Sequence, residues 1–145
     1  MFFGDFNTIF GNILVPPVVA REVFAKLDNE IEDLERAFSD FIQITEKPIL
    51  PKEVEIVIRS IDAGEKGAIG LAYNLNALLI IDDNQARNAA RKLNLEITGS
   101  VGVLLLAKQK KLIPSLKQLM LDIRENGYFY SDELIETAIE LANET

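Results

Sequence analysis

Four carboxylates, Glu22, Glu65, Asp82 and Asp83, are the candidate chemical residues of this chain of 145 residues, in which any catalysis must rest on carboxylates, Lys, Tyr, Ser or Thr. It contains no histidine and no cysteine. That removes Ser-His triads, imidazole bases, thiolate nucleophiles and cysteine zinc sites. A donor set made only of oxygens favours hard ions such as Mg²⁺ or Mn²⁺. Metal-dependent phosphodiester hydrolysis uses several carboxylates converging on such an ion. The ion polarises the phosphate and lowers the pKa of the attacking water.

Each acid also has a structural reading. Asp62 and Glu65 have the spacing of a capping box, with Asp62 at the N-cap and Glu65 at N3. Asp82 or Asp83 can cap the helix expected after them. Glu22 falls in an early helical turn, where a carboxylate meets the positive end of the helix dipole. Gly64, Gly67 and Gly70 invite a phosphate-loop reading, but they lie in a helical pattern and lack the Lys-Ser/Thr of a P-loop. Thr98-Gly99-Ser100, ahead of a helix start, can offer backbone N–H groups to a phosphate, or can be a plain turn with a cap. Arg87, Arg91 and Lys92, and later Lys108, Lys110 and Lys111, read by default as solvated faces; adjacency to the acids would make RNA binding credible.

The acids need elements to position them. Residues 62–76 read as a helix with Ala68, Ile69, Leu71, Ala72 and Leu75 on one side, closed by Asn76. Residues 77–81, ALLII, form a continuous apolar run suited to a parallel strand covered on both faces. Asp82-Asp83 comes at its carboxyl end, where ligands sit in open α/β sheets, and 84–93 reads as a helix. Upstream, 5–10 is short and amphipathic, and Ile13-Leu14-Val15 is a strand that Pro16-Pro17 ends. The prolines start a helix carrying Val18, Val19, Val23, Phe24 and Leu27. A helix over 30–38, a strand over 41–44, a proline-bounded loop over 46–51 and a helix over 52–59 come next. Downstream are a strand over 95–97, a helix over 101–110, a helix from Pro114 to 125 stopped by Asn126-Gly127, and a last helix capped by Ser131. Helices alternating with short strands predict an α/β fold with a mostly parallel sheet in a single domain, 1–145.

A hydrophobic fraction of 48% suits one domain with a real core. The longest apolar runs, 77–81 and 101–107, are far too short to span a bilayer. The N-terminus MFFGDFNTIFGNI lacks a basic n-region and a cleavage site, so no signal peptide and a cytoplasmic location are expected. The net charge of −8 argues against a generic nucleic-acid coat. A nuclease stays open, because local basic patches count for more than the total.

Three strings, FGNILVPPVVAREV, DAGEKGAIGLAYNLNALLIIDDNQAR and LNLEITGSVGVLLLAKQKKLIP, together resemble a PIN-domain family related to VapC-type toxins. The match runs in order from about Phe10 to Pro114; the helices from about 114 fit more loosely. The resemblance implies a three-layer α/β/α fold that gathers three or four acids around Mg²⁺ or Mn²⁺, usually to cleave RNA. Carried over, Glu22 matches the acid after the strand and proline turn. Glu65 matches the acid of the GEKGAIGLA helix, Asp82 the acid at the next strand's end, and Asp83 is its neighbour. Glu22, Glu65 and Asp82 would hold the metal; Arg87, Thr98 and Ser100 would contact RNA phosphates.

Similar proteins begin with an apolar strand ending in an aspartate. Here that first strand is expected to be absent, and Asp5, which comes after no β-like run, does not replace its acid. The expectation is therefore a metal-dependent ribonuclease of toxin–antitoxin type, truncated or weakly active. The alternative is an inactive PIN-fold binding module that engages a protein antitoxin or forms a homodimer. A receiver-like signalling domain also places acids after a strand, but its strand-end lysine has no match, since Lys108–Lys111 fall in a helical pattern.

Overall fold

The computed structural model describes residues 11–26 and 31–144. The expected amphipathic stretch at 5–10, the absence of a first strand, Leu27 and the helix start at Glu30 lie outside them. The described chain falls into two compact units that meet in sequence at Gly99 and Ser100.

In the first unit, β1 (Ile13–Val15) stops at Pro16, which has no N–H to continue a ladder. Pro17 is the first residue of helix α1 (Pro17–Ala25), where a missing N–H costs nothing. Helix α2 (Ile31–Asp40) returns the chain to β2 (Ile42–Ile44), which pairs in parallel with β1 in the register Ile13↔Ile42, Leu14↔Gln43, Val15↔Ile44. Ala37, Phe41 and Ile42 are buried beneath this pair with Ile13, Val15 and Phe38 against them, and the rings of Phe24 and Phe38 lie 4.9 Å apart. Helix α3 (Lys52–Val57) then leads to α4 (Ala63–Leu75), β3 (Leu79–Ile80), α5 (Asn84–Lys92) and β4 (Ile97–Thr98). β3 and β4 pair in parallel, Leu79↔Ile97 and Ile80↔Thr98. The main core gathers Val54, Ile58, Ile61, Ile69, Ala72, Leu79, Ile81 and the alanine face of α5, Ala86, Ala89 and Ala90.

All strand pairing among the described residues is parallel, as the pattern predicts, but it forms two separate two-stranded ladders and not one sheet. The expected strands at 77–81 and 95–97 are also shorter at their starts, both for one reason. Asn76 closes α4 in the left-handed conformation, φ 51°, and the Ala77 amide donates back to the Ala72 carbonyl. Asn94, φ 58°, likewise lets the Leu95 amide return to Ala90. Both amides are held by helix caps, and that of Ala77 is thereby lost to the ladder. The run 77–81 is not covered on both faces either: Leu79 and Ile81 are buried while Leu78 and Ile80 are 46% and 39% exposed. Helix α3 ends at Val57, two residues short of the expected 59.

In the second unit, helices α6 (Ser100–Gln109), α7 (Leu116–Glu125) and α8 (Asp132–Leu141) touch pairwise. Val103, Leu104 and Ala107 of α6, Leu116 and Met120 of α7, and Ile135 and Ala138 of α8 are buried. No helix among the described residues is long and apolar enough to cross a membrane.

The start of α7 is held from a distance. Ser115 accepts from the Gln118 amide at 3.1 Å, while Glu144 accepts from the amides of Leu116 at 2.6 Å and Lys117 at 3.1 Å. Three of the donors that a helix leaves without intrahelical partners are thus satisfied. Lys108 Nζ lies 2.9 Å from the same carboxylate. Burial acts to raise the Glu144 pKa, but the Leu116 amide, Lys108 and the Lys117 amide outweigh it and lower it from 4.5 to about 2. A depressed folded-state pKa contributes stability that is complete above the ordinary carboxyl range and is lost as pH falls through it towards 2. Glu144→Gln is expected to cost on the order of 1–2 kcal/mol at neutral pH. The deficit relative to the parent should shrink as pH falls from 4.5 towards 2, read by thermal melts across that range.

Candidate active site

Helix α1 lies on α4 through glycines. A Cβ on Gly67 would lie 2.8 Å from Cγ1 of Val18 and 3.3 Å from Cγ of Pro16, so the two helices approach at a distance no side chain at 67 would permit. One turn away, Glu22 rests on Gly64 in the first turn of α4. The positive end of the α4 dipole favours an anion at that place. Packing between α1 and α4 thus delivers Glu22 to the turn that carries Glu65.

Glu65 itself makes half of the expected capping box. Its carboxylate accepts from the backbone N–H of Asp62, whereas the Asp62 side chain makes no cap bond in return. Burial pushes the Glu65 carboxyl above its ordinary value of 4.5. The negative charges of Asp83, Asp62 and, least, Glu22 push it the same way, and the Asp62 N–H works against them. Carboxylates from α1, from the start of α4 and from the turn after β3 therefore act on one another.

Of the two aspartates after β3, Asp83 is the cap. Its carboxylate accepts from the Ala86 amide at 2.9 Å, the N3 position of α5. Asp82 faces elsewhere: its Oδ1 lies 2.8 Å from the point that a Cβ on Gly99 would occupy. The Nη1 of Arg87 lies 3.1 Å from that point and donates to the Ile81 carbonyl at 2.8 Å. The half-buried Arg87 thus ties the first turn of α5 to the end of the strand that presents Asp82.

Thr98 belongs to β4, and its carbonyl accepts from the Ile81 amide at 2.8 Å. Ser100 is the first residue of α6, and its hydroxyl is 2.8 Å from the Tyr130 hydroxyl within the second unit. The stretch expected as a turn is therefore a strand end passing directly into a helix.

The donor chemistry of Glu22, Glu65, Asp82 and Asp83 suits a hard divalent ion. The mutual repulsion around Glu65 is the electrostatic condition that such an ion would relieve. Among the described residues, no three carboxylates stand close enough together to hold an ion. Sequence reasoning did not find the contacts of Gly64 and Gly99, because each is made with a residue far along the chain. Only the short spacings Asp62–Gly64–Glu65 and Thr98–Gly99–Ser100 hinted at them.

Comparison with known proteins agrees with this picture at the level of the family. A family model described as a PIN domain matches residues 4–144. Among curated proteins, the chain is 34% identical over 80 residues to a 2-amino-5-formylamino-6-ribosylaminopyrimidin-4(3H)-one 5'-monophosphate deformylase of Methanobrevibacter ruminantium. That stretch covers 52% of this chain and 33% of the relative, so the chain spans about a third of that protein's length. No solved structure matches the chain significantly.

Two titration outcomes are expected of the site. Asparagine caps a helix as well as aspartate does, so Asp83→Asn keeps α5 intact while removing the charge that acts most strongly on Glu65. The Glu65 carboxyl is expected to titrate at lower pH in that variant, measured by ¹³C NMR; an unmoved midpoint would show that Asp83 does not reach it. A raised folded-state pKa also means that the fold loses stability as pH rises through the window above 4.5. Glu65→Gln should melt higher than the parent at neutral pH, with the gain fading once the pH is below that window.

Proposed function

The chain belongs to the PIN-domain family, and from that membership we propose that it is a divalent-ion-dependent endoribonuclease of toxin–antitoxin type. The observation that carries this reading is the convergence of like charges on Glu65, from Asp83, Asp62 and Glu22. Negative charge drawn from three separate elements onto one half-buried carboxylate is a condition that a cationic ligand would relieve. Mg²⁺ or Mn²⁺, when bound, would polarise the scissile phosphate and lower the pKa of the attacking water.

In this reading Glu22, Glu65 and Asp82 hold the ion directly or through water. Asp83 fixes the first turn of α5 and adds charge to the site. Arg87, Thr98 and Ser100 contact the RNA phosphates, Arg87 offsetting locally an overall charge of −8. A protein antitoxin and a second copy of the chain are the partners this class implies.

A second reading is a PIN-fold binding module without catalysis. It is favoured by one finding, that no three carboxylates among the described residues stand at ion-holding distance. It predicts a stable complex with a partner or with itself and no ion-dependent cleavage.

Incubation with single-stranded RNA, with and without Mn²⁺, separates the two. The nuclease reading expects cleavage that requires the ion and falls at least about 100-fold in Asp82→Asn and in Glu65→Gln. Cleavage equal in parent and variants, or none with Mn²⁺ and no Mn²⁺ binding by calorimetry, would overturn it.

A further inference from the structure

Gly64 and Gly99 lie in different elements, yet each faces a carboxylate of the candidate site. A Cβ on Gly64 would lie 2.5 Å from Oε2, 3.2 Å from Cδ and 3.3 Å from Oε1 of Glu22. A Cβ on Gly99 would lie 2.8 Å from Oδ1 of Asp82, 3.1 Å from Nη1 of Arg87 and 3.6 Å from the Ile81 carbonyl oxygen. Neither glycine has a positive φ. Alanine can adopt both backbones, so the demand at each position is for room alone.

What fills the room distinguishes these two from the other glycines of α4. Gly67 faces Val18 and Pro16, and Gly70 faces Leu50 and Pro48. Those neighbours are packed apolar groups, and an added methyl there strains the fold. At Gly64 and Gly99 the nearest neighbours are the carboxylate ends of Glu22 and Asp82, while Arg87 Nη1, bonded to the Ile81 carbonyl, stands slightly farther off. A methyl group there displaces the carboxylate and leaves the backbone in place.

We infer that Gly64 and Gly99 are positioning residues, bare backbone seats that set the Glu22 and Asp82 carboxylates where they serve the acidic site. The inference rests on the reading of that site as ion-binding. It assigns the glycines a role apart from phosphate recognition and from turn formation.

The test combines Mn²⁺ calorimetry with thermal melting on the full chain, for the parent, Gly64→Ala, Gly99→Ala and Gly70→Ala. The expected result is that Gly64→Ala and Gly99→Ala melt at or above the parent temperature, since alanine restricts the unfolded chain at both positions and at 64 is also the better helix residue. Both should nevertheless bind Mn²⁺ about 10-fold to 100-fold more weakly, as loss of an orienting contact does at metal sites. Gly70→Ala, which meets Leu50 and Pro48 and not α1, should melt lower and, while folded, bind as the parent does. Parent-like affinity in Gly64→Ala and Gly99→Ala, or loss of affinity only in step with melting temperature, would overturn the inference.

A parent that binds no Mn²⁺ would remove the ion-binding reading, and melts alone would then decide the seats. Gly64→Ala should couple to Glu22→Ala, and Gly99→Ala to Asp82→Ala, each glycine change being better tolerated once its carboxylate is gone. The crossed pair, Gly64→Ala with Asp82→Ala, should be additive. Additivity in all three cycles would show that the glycines hold nothing in place.

Discussion

The close approach of α1 to α4 is the constraint on which the site depends. Helices pack at distances set by the side chains between them, and here the intervening side chains are hydrogen atoms at Gly64 and Gly67. Val18 and Glu22, one turn apart on α1, meet Gly67 and Gly64 on α4. The apolar end of this contact holds the helices together, and the polar end brings a carboxylate to the first turn of α4. Bulk at either glycine would separate two acids that lie 43 positions apart in sequence, Glu22 and Glu65.

At Glu65 the gathering of acids is costly, since burial and the neighbouring negative charges both disfavour its ionised form. The chain distributes the cost by giving some of the acids a backbone partner. Asp83 accepts from Ala86, and Glu65 accepts from Asp62. Arg87 holds the strand end through the Ile81 carbonyl and so steadies the segment carrying Asp82. Helix caps and a strand-end tether thus do double service, as local structure and as supports for the acidic residues.

Much of the framework was legible in the sequence. Pro16-Pro17 marked the end of β1 and the start of α1, Asn76 marked the end of α4, and Ser131 marked the cap of the last helix, each through a conformational preference local to the residue. The strand starts were not legible, because the amides of Ala77 and Leu95 are claimed by the preceding helix caps. Periodicity cannot weigh that competition. The choice between Asp82 and Asp83 as helix cap was also open, since two adjacent aspartates before a helix satisfy the same pattern; only the bond to Ala86 separates them. The division of the strands into two ladders depends on pairing between distant segments, for which runs of two or three residues carry no signal.

The arrangement at Glu144 has a consequence for the order in which the second unit is made. Leu116 leaves the ribosome 28 residues ahead of the carboxylate that receives its amide. At ordinary rates of synthesis that gap is on the order of seconds, far longer than the sub-microsecond to microsecond time a helix takes to form or melt. Throughout that interval α7 has Ser115 for one of its leading amides but nothing yet for Leu116 and Lys117. Its first turn therefore frays and re-forms many times during translation. The contacts that complete the first turn of α7 therefore form only after α8 has been made.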